Sequence, residues 1–480
     1  MPDALNANSF PTAGTPHQEL MTALKRLKDD DVPWAEGRVF AYVYDPGPEA
    51  MRLVHEAYDL YLTENGLDPT AFPSAMQLER DIIAMACDLV HAPGGAVGSF
   101  TSGGTESILL SVKTARDRAR ALQPQITRPE VILPETAHAA FFKACQYFDL
   151  TPVVVPVDPN SFRAQPEAMA RAVTPNTVLL VASAPSYAHG VVDPIAAIGQ
   201  IAAAHDLLFH VDACMGGMYL PFAGEAIEPF DFRVPGVTQL SMDFHKWGYA
   251  AKGASGILYR SPDIRRYQIF AWSGWTGYSV VNPTLLSTRG AGPLAACWAV
   301  MNFFGRSGYE ALVSDCQRAA GQIRQAIDRI EGLYCLGESV CNLFSFASDR
   351  LNVFSLAENM RAKGWYIQPQ FGFGPSPANI HLSVGHGNVA HVDAFIADLT
   401  AAAAAIEHAG PVPDHGTTSS EMADMPPEIL FEYIGQIADT DGSTLPERMD
   451  RINSLLNSLP HQRRDGLLAE FINRLYTPAR

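Results

Sequence analysis

The chain has 480 residues, of which 47% are apolar, and a formal net charge of −17. This length and composition can bury a large core, and we expect two or more domains. The negative charge argues against nucleic acid or an anionic membrane surface as the main partner, because neither attracts an acidic protein over long range.

The seven cysteines are scattered, without a C-x-x-C pair, a pattern typical of reduced thiols in a cytoplasm. No run of about 18 apolar residues occurs, and the first residues lack the charged and apolar blocks of a signal peptide. We therefore expect a cytoplasmic protein without a transmembrane segment.

The N-terminal part predicts an arm followed by two helices. The first 35 residues are polar and contain four prolines, which indicates an extended arm with one short helix near Gln18–Lys28. Apolar residues at helical spacing predict helices over Ala50–Glu64 and Gln77–His91. The Asn65-Gly66 pair is expected to end the first of them, since glycine commonly follows a helix.

From Val97 to about Arg260, short strand patterns alternate with helical patterns. This alternation predicts a largely parallel sheet flanked by helices. The predicted strands are Ser99–Ser102, Glu130–Leu133, Pro152–Val157, Val178–Ala182, Leu207–Val211, Gln239–Met242 and Gly256–Tyr259.

A smaller α+β domain is predicted next, from helical patterns at Pro293–Phe304 and Tyr309–Ile330 and strand patterns at Leu343–Ala347 and Ile380–Val384. Segment 411–420 has the composition of a linker. The helices predicted beyond it cover the same molecule, cap a dimer or bind another partner, and the sequence leaves these alternatives open. They are Pro427–Ile437, Pro446–Leu459 and Arg464–Leu475.

The candidate chemistry is concentrated at two strand ends. The strand Leu207–Val211 is followed by Asp212, and the next strand by the pair His245-Lys246. The ends of such strands meet at one edge of an α/β sheet, where these folds bind ligands. A buried lysine can form a Schiff base with an aldehyde, and a carboxylate can keep a pyridine nitrogen protonated. Pyridoxal 5'-phosphate (PLP) requires both.

Two further stretches suit a phosphorylated, flat cofactor. Small residues in segment 100–107 precede a helix and can present backbone N–H groups to a phosphate, although no Walker sequence follows. His138, near a helix start after a strand, is a candidate to stack on the cofactor ring. Trp272, Trp275 and Tyr278 fall in an irregular segment and are candidates to line a substrate channel.

These residues match a known family. The chain resembles the sphingosine-1-phosphate lyases, in the group II decarboxylase-like branch of the fold-type-I PLP-dependent enzymes, from about Tyr44 to residue 400. The strings that carry the resemblance are TSGGTESILLSVKTARD (101–117), AHAAF (137–141), HGVVDP (189–194), HVDACMGG (210–217), PFDFRVPGVTQLSMDFHKWGYAAKGASGILY (229–259) and AACWAVMNFFG (295–305).

The resemblance implies an α/β fold with a mostly parallel seven-stranded sheet in a large PLP-binding domain, a smaller C-terminal α+β domain, an N-terminal arm and an extra helical tail. We place the N-terminal segment at 1–75, the large domain at 76–295, the small domain at 296–408 and the linker with its helical extension at 409–480. It also implies a homodimer whose active sites are shared between subunits, and no metal ion.

The family's cofactor-binding positions can be carried over to this chain. Lys246 would hold PLP as a Schiff base, Asp212 would pair with the pyridine nitrogen, and His138 would stack on the ring. His189 matches a position near the cofactor's phenolic side and the substrate. Cys214 matches a family cysteine beside the site, for which packing is an equal explanation. The positions that contact the cofactor phosphate match Gly104, Thr105 and His245.

Tyr44 and Lys252 match the tyrosine and second lysine that handle protons and substrate phosphate, and either could be the general base. The implied reaction is retro-aldol cleavage of the C2–C3 bond of sphingosine 1-phosphate, or of a related phosphorylated β-hydroxy amine. Its products are a long-chain aldehyde and ethanolamine phosphate.

The substrate-binding positions contain one departure from the family. Asn65-Gly66-Leu67-Asp68 aligns with an Asn-Pro-Leu-His motif that binds the substrate phosphate, whereas the hydroxyl position is kept by Thr288, next to Arg289. Asp68 in place of the histidine would repel a phosphate by about 1 kcal/mol at 4 Å in water. Either Asp68 pairs with Lys252 or Arg289, which would suit a neutral or carboxylate-bearing substrate, or it points away.

Two other functions remain open from the sequence. An amino-acid α-decarboxylase uses the same electron sink on the same scaffold, and the fold does not separate the two reactions. A long aliphatic channel would favour the lyase, and a small cavity with an arginine for the α-carboxylate would favour the decarboxylase. The third possibility is a non-catalytic PLP-binding module that acts through its tail.

Overall fold

The computed structural model describes residues 9–224, 227–409, 425–438, 446 and 448–478. The strands, numbered β1 to β13, are Val97–Thr101, Glu130–Pro134, Thr151–Val155, Thr177–Ser183, Leu208–Ala213, Gln239–Asp243, Ser255–Tyr259, Phe270–Trp272, Val280–Asn282, Leu333–Leu336, Leu343–Ser348, Gln368–Gln370 and Asn379–Ser383. The α-helices, numbered α1 to α14, are His17–Leu27, Pro48–Leu60, Pro73–Leu89, Gly104–Leu122, Ala140–Phe148, Pro166–Ala172, Ile195–Ala204, Pro262–Arg265, Gly292–Ile327, Val353–Ala362, Val392–Ala409, Pro427–Ala438, Asp450–Ser458 and His461–Leu475.

The large sheet contains seven strands in the order β1-β7-β6-β5-β4-β2-β3. Strands β2 to β6 pair in parallel, and β7 runs antiparallel to both β6 and β1. The mostly parallel sheet expected from the sequence is therefore confirmed. All seven predicted strands are present, with bounds shifted by two residues at most. Strands β4 and β5 are buried throughout, as expected for apolar runs covered by helices on both faces.

The predicted end of the helix Ala50–Glu64 was wrong. Helix α2 ends at Leu60 rather than at Glu64. The following residues leave the helix because their backbone bonds another segment: Gly66 N–H donates to the Arg289 carbonyl at 2.8 Å, and Ala291 N–H donates to the Glu64 carbonyl at 2.8 Å. The two helices predicted after residue 292 are confirmed: the stretch labelled α9 is broken between them at Gly305, whose φ of 55° suits glycine.

A second, antiparallel sheet has the order β10-β11-β13-β12 and packs on α9, α10 and α11 around its own apolar core. Its edge strands were not predicted, since each has only three or four residues. Helix α11 belongs to a stretch, His386–Ile406, that is long and apolar enough to span a membrane. Phe395 and Leu399 of this helix are nevertheless fully buried in the core of the small sheet.

Helices α12, α13 and α14 form a three-helix tail with its own apolar cluster. The tail contacts the rest of the same chain: Asn457 Oδ1 accepts from Gly372 N–H at 2.7 Å, and Asn352 Nδ2 donates to Ser454 Oγ at 3.0 Å. The predicted linker at 411–420 lies outside the described residues, and the predicted domain boundaries stay a prediction.

Candidate active site

The register of the large sheet brings three polar side chains to one edge. Ser183, the last residue of β4, pairs with Asp212 on β5, and Asp212 pairs with Ser241 on β6. This edge is the carboxyl end of the parallel strands, where open α/β sheets bind their ligands. Beyond it lies a cavity of about 510 Å³, which we call the lysine cavity. The predicted residues that line it are Gly104, Thr105, His138, Asp212, Cys214, His245 and Lys246.

Lys246 is paired with a carboxylate that the sequence interpretation did not include. Its Nζ lies 2.9 Å from Asp243 Oδ2, and the side-chain exposures are 22% for Lys246 and 2% for Asp243. Burial disfavours the charged amine, but the charge of Asp243 outweighs burial and raises the pKa of Lys246. The pKa of Asp243 is lowered, because Lys246 and His245 outweigh its own burial.

Asp212 is a buried carboxylate without a cationic partner among the described residues. Its Oδ1 accepts from Cys214 N–H at 3.1 Å and lies 3.4 Å from Ser241 Oγ. An unpaired buried charge is unfavourable, and a protonated pyridine nitrogen would supply the missing cation. The nearby Cys214 thiol is buried, which raises its pKa and keeps it protonated.

The start of α4 is the part of the cavity best suited to an anion. Its N-cap residue, Gly103, has no side chain that could cap the first turn. The N–H groups at the start of a helix suit an anion. A Cβ on Gly104 would lie 2.8 Å from both Cys214 Sγ and Asp243 Oδ1, so this position requires glycine. Together with Asp212 and Lys246, this helix start fits PLP.

Tyr44 and Lys252 lie beside Lys246. The Lys252 ammonium sits 4.9 Å from the centre of the Tyr44 ring and donates to the Tyr42 carbonyl at 2.8 Å. Lys252 is exposed as a residue, whereas its ammonium is in contact with these groups. Burial of the ammonium, together with the charge of Lys246, lowers the pKa of Lys252 to about 8. Burial raises the pKa of Tyr44 to about 12, against the opposing charge of Lys246.

His189 does not line the lysine cavity. Its ring stacks on Phe162 with centroids 4.1 Å apart, and its Nε2 lies 3.0 Å from Ser376 Oγ. It lines a second cavity, of about 490 Å³, which shares His138 and Tyr187 with the lysine cavity. Burial lowers the pKa of His189 to about 4, so the ring is neutral at physiological pH.

The predicted substrate positions Asn65, Asp68 and Thr288 also lie outside the lysine cavity. Asp68 is exposed in a separate surface cavity of about 970 Å³. It pairs with neither predicted cation: its Oδ1 accepts from Thr70 N–H at 2.8 Å and Thr70 Oγ1 at 2.6 Å. Arg289 instead pairs with Glu79 at 2.8 Å.

One segment of chain borders both the lysine cavity and the surface cavity that contains Asp68. Leu285 and Leu286 line the lysine cavity, whereas Ser287 and Arg289 line the surface cavity, so that exposed Thr288 lies just beyond the lysine cavity. Asn65 bridges to Gly290 on the same segment. In one chain, the predicted substrate positions thus approach the lysine cavity without entering it.

Sequence reasoning missed three residues of the site. The spacing of Asp243 from Lys246 at a strand end was the available signal for their pairing. Glu106 accepts from Ser102 N–H at 2.6 Å and from Leu285 N–H at 2.8 Å, joining two cavity walls, and no sequence pattern indicated this. The third is Tyr187. Among the described residues, no group of three His, Cys, Asp or Glu side chains is placed to hold a metal ion.

Comparisons with known proteins identify the family. The family described as "Pyridoxal-dependent decarboxylase conserved domain" matches residues 3–348. Sphingosine-1-phosphate lyase of Oryza sativa is 38% identical over 81% of this chain and 73% of its own length. The enzyme of the same name from Dictyostelium discoideum is 35% identical over 92% of this chain and 84% of its own length. The chain belongs to the sphingosine-1-phosphate lyase family.

The solved structures agree with this family. The sphingosine-1-phosphate lyase of Burkholderia pseudomallei has a TM-score of 0.80 and 34% identity, over 84% of this chain and 93% of its own. A glutamate decarboxylase of Lactobacillus brevis, with a TM-score of 0.75, 20% identity and coverage of 85% and 97%, shares the fold. This member of the lyase family is therefore a PLP-dependent lyase of the fold-type-I class.

A second family model covers the tail. The model described as "Pyridoxal-dependent enzyme, C-terminal putative HTH domain" matches residues 397–474. That range includes most of α11 and of the three tail helices.

Proposed function

We propose that this lyase cleaves the C2–C3 bond of a phosphorylated long-chain β-hydroxy amine of the sphingosine 1-phosphate type, and that it works as a homodimer. The observation that carries the proposal is the placement of two proton-handling groups, Tyr44 and Lys252, beside the lysine of the cavity. The names of the relatives from rice, Dictyostelium and Burkholderia support the substrate class.

The geometry of the lysine cavity supports a cofactor site there. We assign the covalent attachment of PLP to Lys246 and the pairing with its pyridine nitrogen to Asp212. His138, exposed at the mouth of the cavity, is placed to cover the ring. When bound, PLP supplies an electron sink for the carbanion that carbon–carbon cleavage leaves. The phosphate contacts are assigned to Gly104, Thr105 and His245.

Lys252 is the better candidate for the general base. A general base works best when its pKa is near the working pH, and the pKa of Lys252 is lowered to about 8. Its neutral amine would take the proton from the substrate C3 hydroxyl. Tyr44, whose pKa is raised to about 12, keeps its proton at neutral pH and would donate a hydrogen bond from its hydroxyl.

The lining of the lysine cavity argues against the decarboxylase alternative. Among the described residues, its cationic or imidazole side chains are Lys246, His138 and His245, and no arginine lines it. An α-carboxylate would therefore meet no guanidinium there. Cys214 keeps its thiol protonated and makes a packing contact in this proposal.

A dimer would complete the site. The β8–β9 hairpin projects apolar side chains into solvent, with exposures of 56% for Trp272, 49% for Trp275 and 61% for Tyr278. Patches of this kind mark interaction surfaces. In the proposed dimer, the surface that carries Asn65, Asp68 and Thr288 faces the partner subunit's lysine cavity. We also propose a cytoplasmic location, because all seven cysteines are free thiols.

The test uses purified protein loaded with PLP. It is incubated separately with dihydrosphingosine 1-phosphate, with dihydrosphingosine and with a panel of amino acids, and both aldehyde and carbon dioxide are measured. The proposal expects aldehyde from the phosphorylated amine alone. Carbon dioxide from an amino acid, without long-chain aldehyde, would move the assignment to decarboxylase. No turnover of any amine would favour the non-catalytic module.

A further inference from the structure

The tail contains an unusual buried charge. Of the lysines and arginines in the described part of the chain, only Arg464 on α14 is buried, with 8% of its surface exposed. Its Nη2 lies 3.4 Å from the Gly372 carbonyl, and its guanidinium faces the Phe371 ring at 5.0 Å. Its Nη1 has no hydrogen-bond partner, and no described carboxylate pairs with it. A buried cation without a counter-ion is strongly unfavourable.

Arg464 lines the second cavity, of about 490 Å³, which we call the Arg464 chamber. The tail helix α14 forms one wall of this chamber and segment 368–376 another. His138 and Tyr187 separate it from the lysine cavity, since they line both. The chamber is therefore next to the active site but distinct from the place proposed for the cofactor phosphate.

Other unsatisfied polar atoms belong to residues of the same chamber. Thr136 Oγ1, His189 Nδ1 and Asn379 Oδ1 are buried without a hydrogen-bond partner, and all three residues line the chamber. Most buried polar atoms in proteins are paired, so each exception calls for an explanation. A bound anion could accept from Arg464 Nη1 and from Thr136 Oγ1, whereas Asn379 Oδ1, itself an acceptor, would stay unpaired.

The carboxylates that face the chamber do not neutralise Arg464. Glu135 Oε1 accepts from Val157 N–H at 2.9 Å. Asp465 is 74% exposed, and its carboxylate lies 3.7 Å from His461 Nδ1. Glu135 is thus held by the backbone, and Asp465 is screened by solvent at the rim. The guanidinium remains the group best placed to attract an anion.

Part of the remaining wall is apolar. Phe162, Phe371, Phe373 and Leu468 line the chamber. Leu468 also lines a small apolar cavity of about 100 Å³ between the tail helices. An occupant with an anionic end at Arg464 could therefore extend an apolar body past Leu468.

We propose that the Arg464 chamber is a second ligand site, which binds a phosphate or carboxylate group on the guanidinium of Arg464. An anionic amphiphile would use both the guanidinium and the apolar wall, whereas free phosphate would use the guanidinium alone. The site does not depend on the reaction proposed above, because none of the residues assigned to proton transfer lies in it.

Calorimetric titration of the PLP-loaded enzyme with inorganic phosphate and with octyl phosphate tests this site. Arg464→Gln is compared with Arg451→Gln, which removes the same charge from an exposed position on α13. Loss of charge-assisted hydrogen bonds should weaken binding about tenfold or more in Arg464→Gln alone. Binding of octyl phosphate only would identify an amphiphile, and equal binding of both would identify free phosphate.

The proposal is overturned if neither anion binds the wild type, or if Arg464→Gln and the wild type bind equally. If Arg464→Gln does not fold, Leu468→Glu replaces it, since Leu468 is 41% exposed. The new carboxylate at the chamber wall should weaken octyl phosphate binding about tenfold by like-charge repulsion. Unchanged binding in that variant would equally count against the site.

Discussion

Asp243 Oδ2 lies 2.9 Å from Lys246 Nζ, and both groups are largely withdrawn from water. Lys246 must lose a proton before its amine can bond to an aldehyde, yet Asp243 stabilises the protonated form and raises the pKa of Lys246. Covalent attachment of the cofactor should therefore become faster as pH rises.

Asp243→Asn should shift the pH dependence of this attachment to lower pH, by roughly one unit or more. The rate is followed by visible absorbance after PLP is added to cofactor-free protein at a series of pH values. Asp231→Asn, which removes a buried carboxylate outside the lysine cavity, is the matched control. An unchanged profile in Asp243→Asn would show that the ion pair does not govern the proton on Lys246.

Lys252→Met tests the general base. If Lys252 acts through its neutral amine, wild-type kcat/KM rises as pH increases through about 8, the value to which its pKa is lowered. The variant should lose this rise and roughly 10²–10⁴-fold in rate. Lys143→Met, at an exposed position on α5, serves as the control. A wild-type rate that falls above pH 8 would instead assign Lys252 to phosphate binding as a cation.

The sheet could be predicted from the sequence because apolar strands and amphipathic helices carry strong local patterns. Asp212 and Lys246 could be placed together for the same reason, since parallel strands end at one edge. The short edge strand Gln368–Gln370 could not be predicted. Three residues are too few to show the alternating pattern of a strand, and the pairing of this strand with β13 is set by tertiary contacts.

Pairings between distant segments were also beyond the sequence. Glu79 forms an ion pair with Arg289, which is 210 positions away in the sequence. Asp68 therefore lacks the arginine partner that the sequence had suggested. Arg464 reaches the chamber because the tail packs on the rest of the chain through contacts such as that of Asn457 with Gly372. Such contacts depend on the final packing of the elements and leave no local signature.

Asp68→His tests whether the surface that carries this residue takes part in substrate binding. Removing a carboxylate near a phosphate should gain about 1 kcal/mol, or roughly fivefold in kcat/KM, for the phosphorylated amine alone. Asp59→His, at another exposed position, should leave the kinetics unchanged. The measurement compares phosphorylated and dephosphorylated substrates. Equal effects on both would show that Asp68 does not approach the phosphate.

Trp272→Glu tests the dimer. A charge on the exposed β8–β9 hairpin should weaken subunit association by roughly 2 kcal/mol or more if Trp272 is an interface anchor. Light scattering after gel filtration, over a range of protein concentrations, would then show the dimer dissociating at concentrations roughly thirtyfold higher than in the wild type. Phe10→Glu makes the same exchange at a residue that is 95% exposed on the N-terminal arm and should stay dimeric. Unchanged dissociation of the Trp272→Glu protein would place the interface elsewhere.

Buried neutral histidines should make the fold sensitive to mild acid. Burial lowers the pKa of His210 to about 4, compared with about 6.5 in an unfolded chain. Between these values the unfolded state binds more protons, so stability falls as pH decreases from about 6.5 to about 4. From pH 7 to pH 5 this single group should remove roughly 2 kcal/mol from the free energy of unfolding.

His210→Gln should remove that loss while keeping a polar group of similar reach towards Ser241 Oγ, which lies 2.9 Å from His210 Nε2. Urea titrations of both proteins at pH 7 and pH 5 give the difference directly. Asp193 makes the folded state more stable as pH falls, because burial raises its pKa to about 6. Its contribution is the same in both proteins and cancels in the comparison. If the two proteins lose equal stability between pH 7 and pH 5, His210 is not the acid-sensitive group. A smaller loss in the variant assigns that sensitivity to the His210 ring, on which the charge of Asp212 acts.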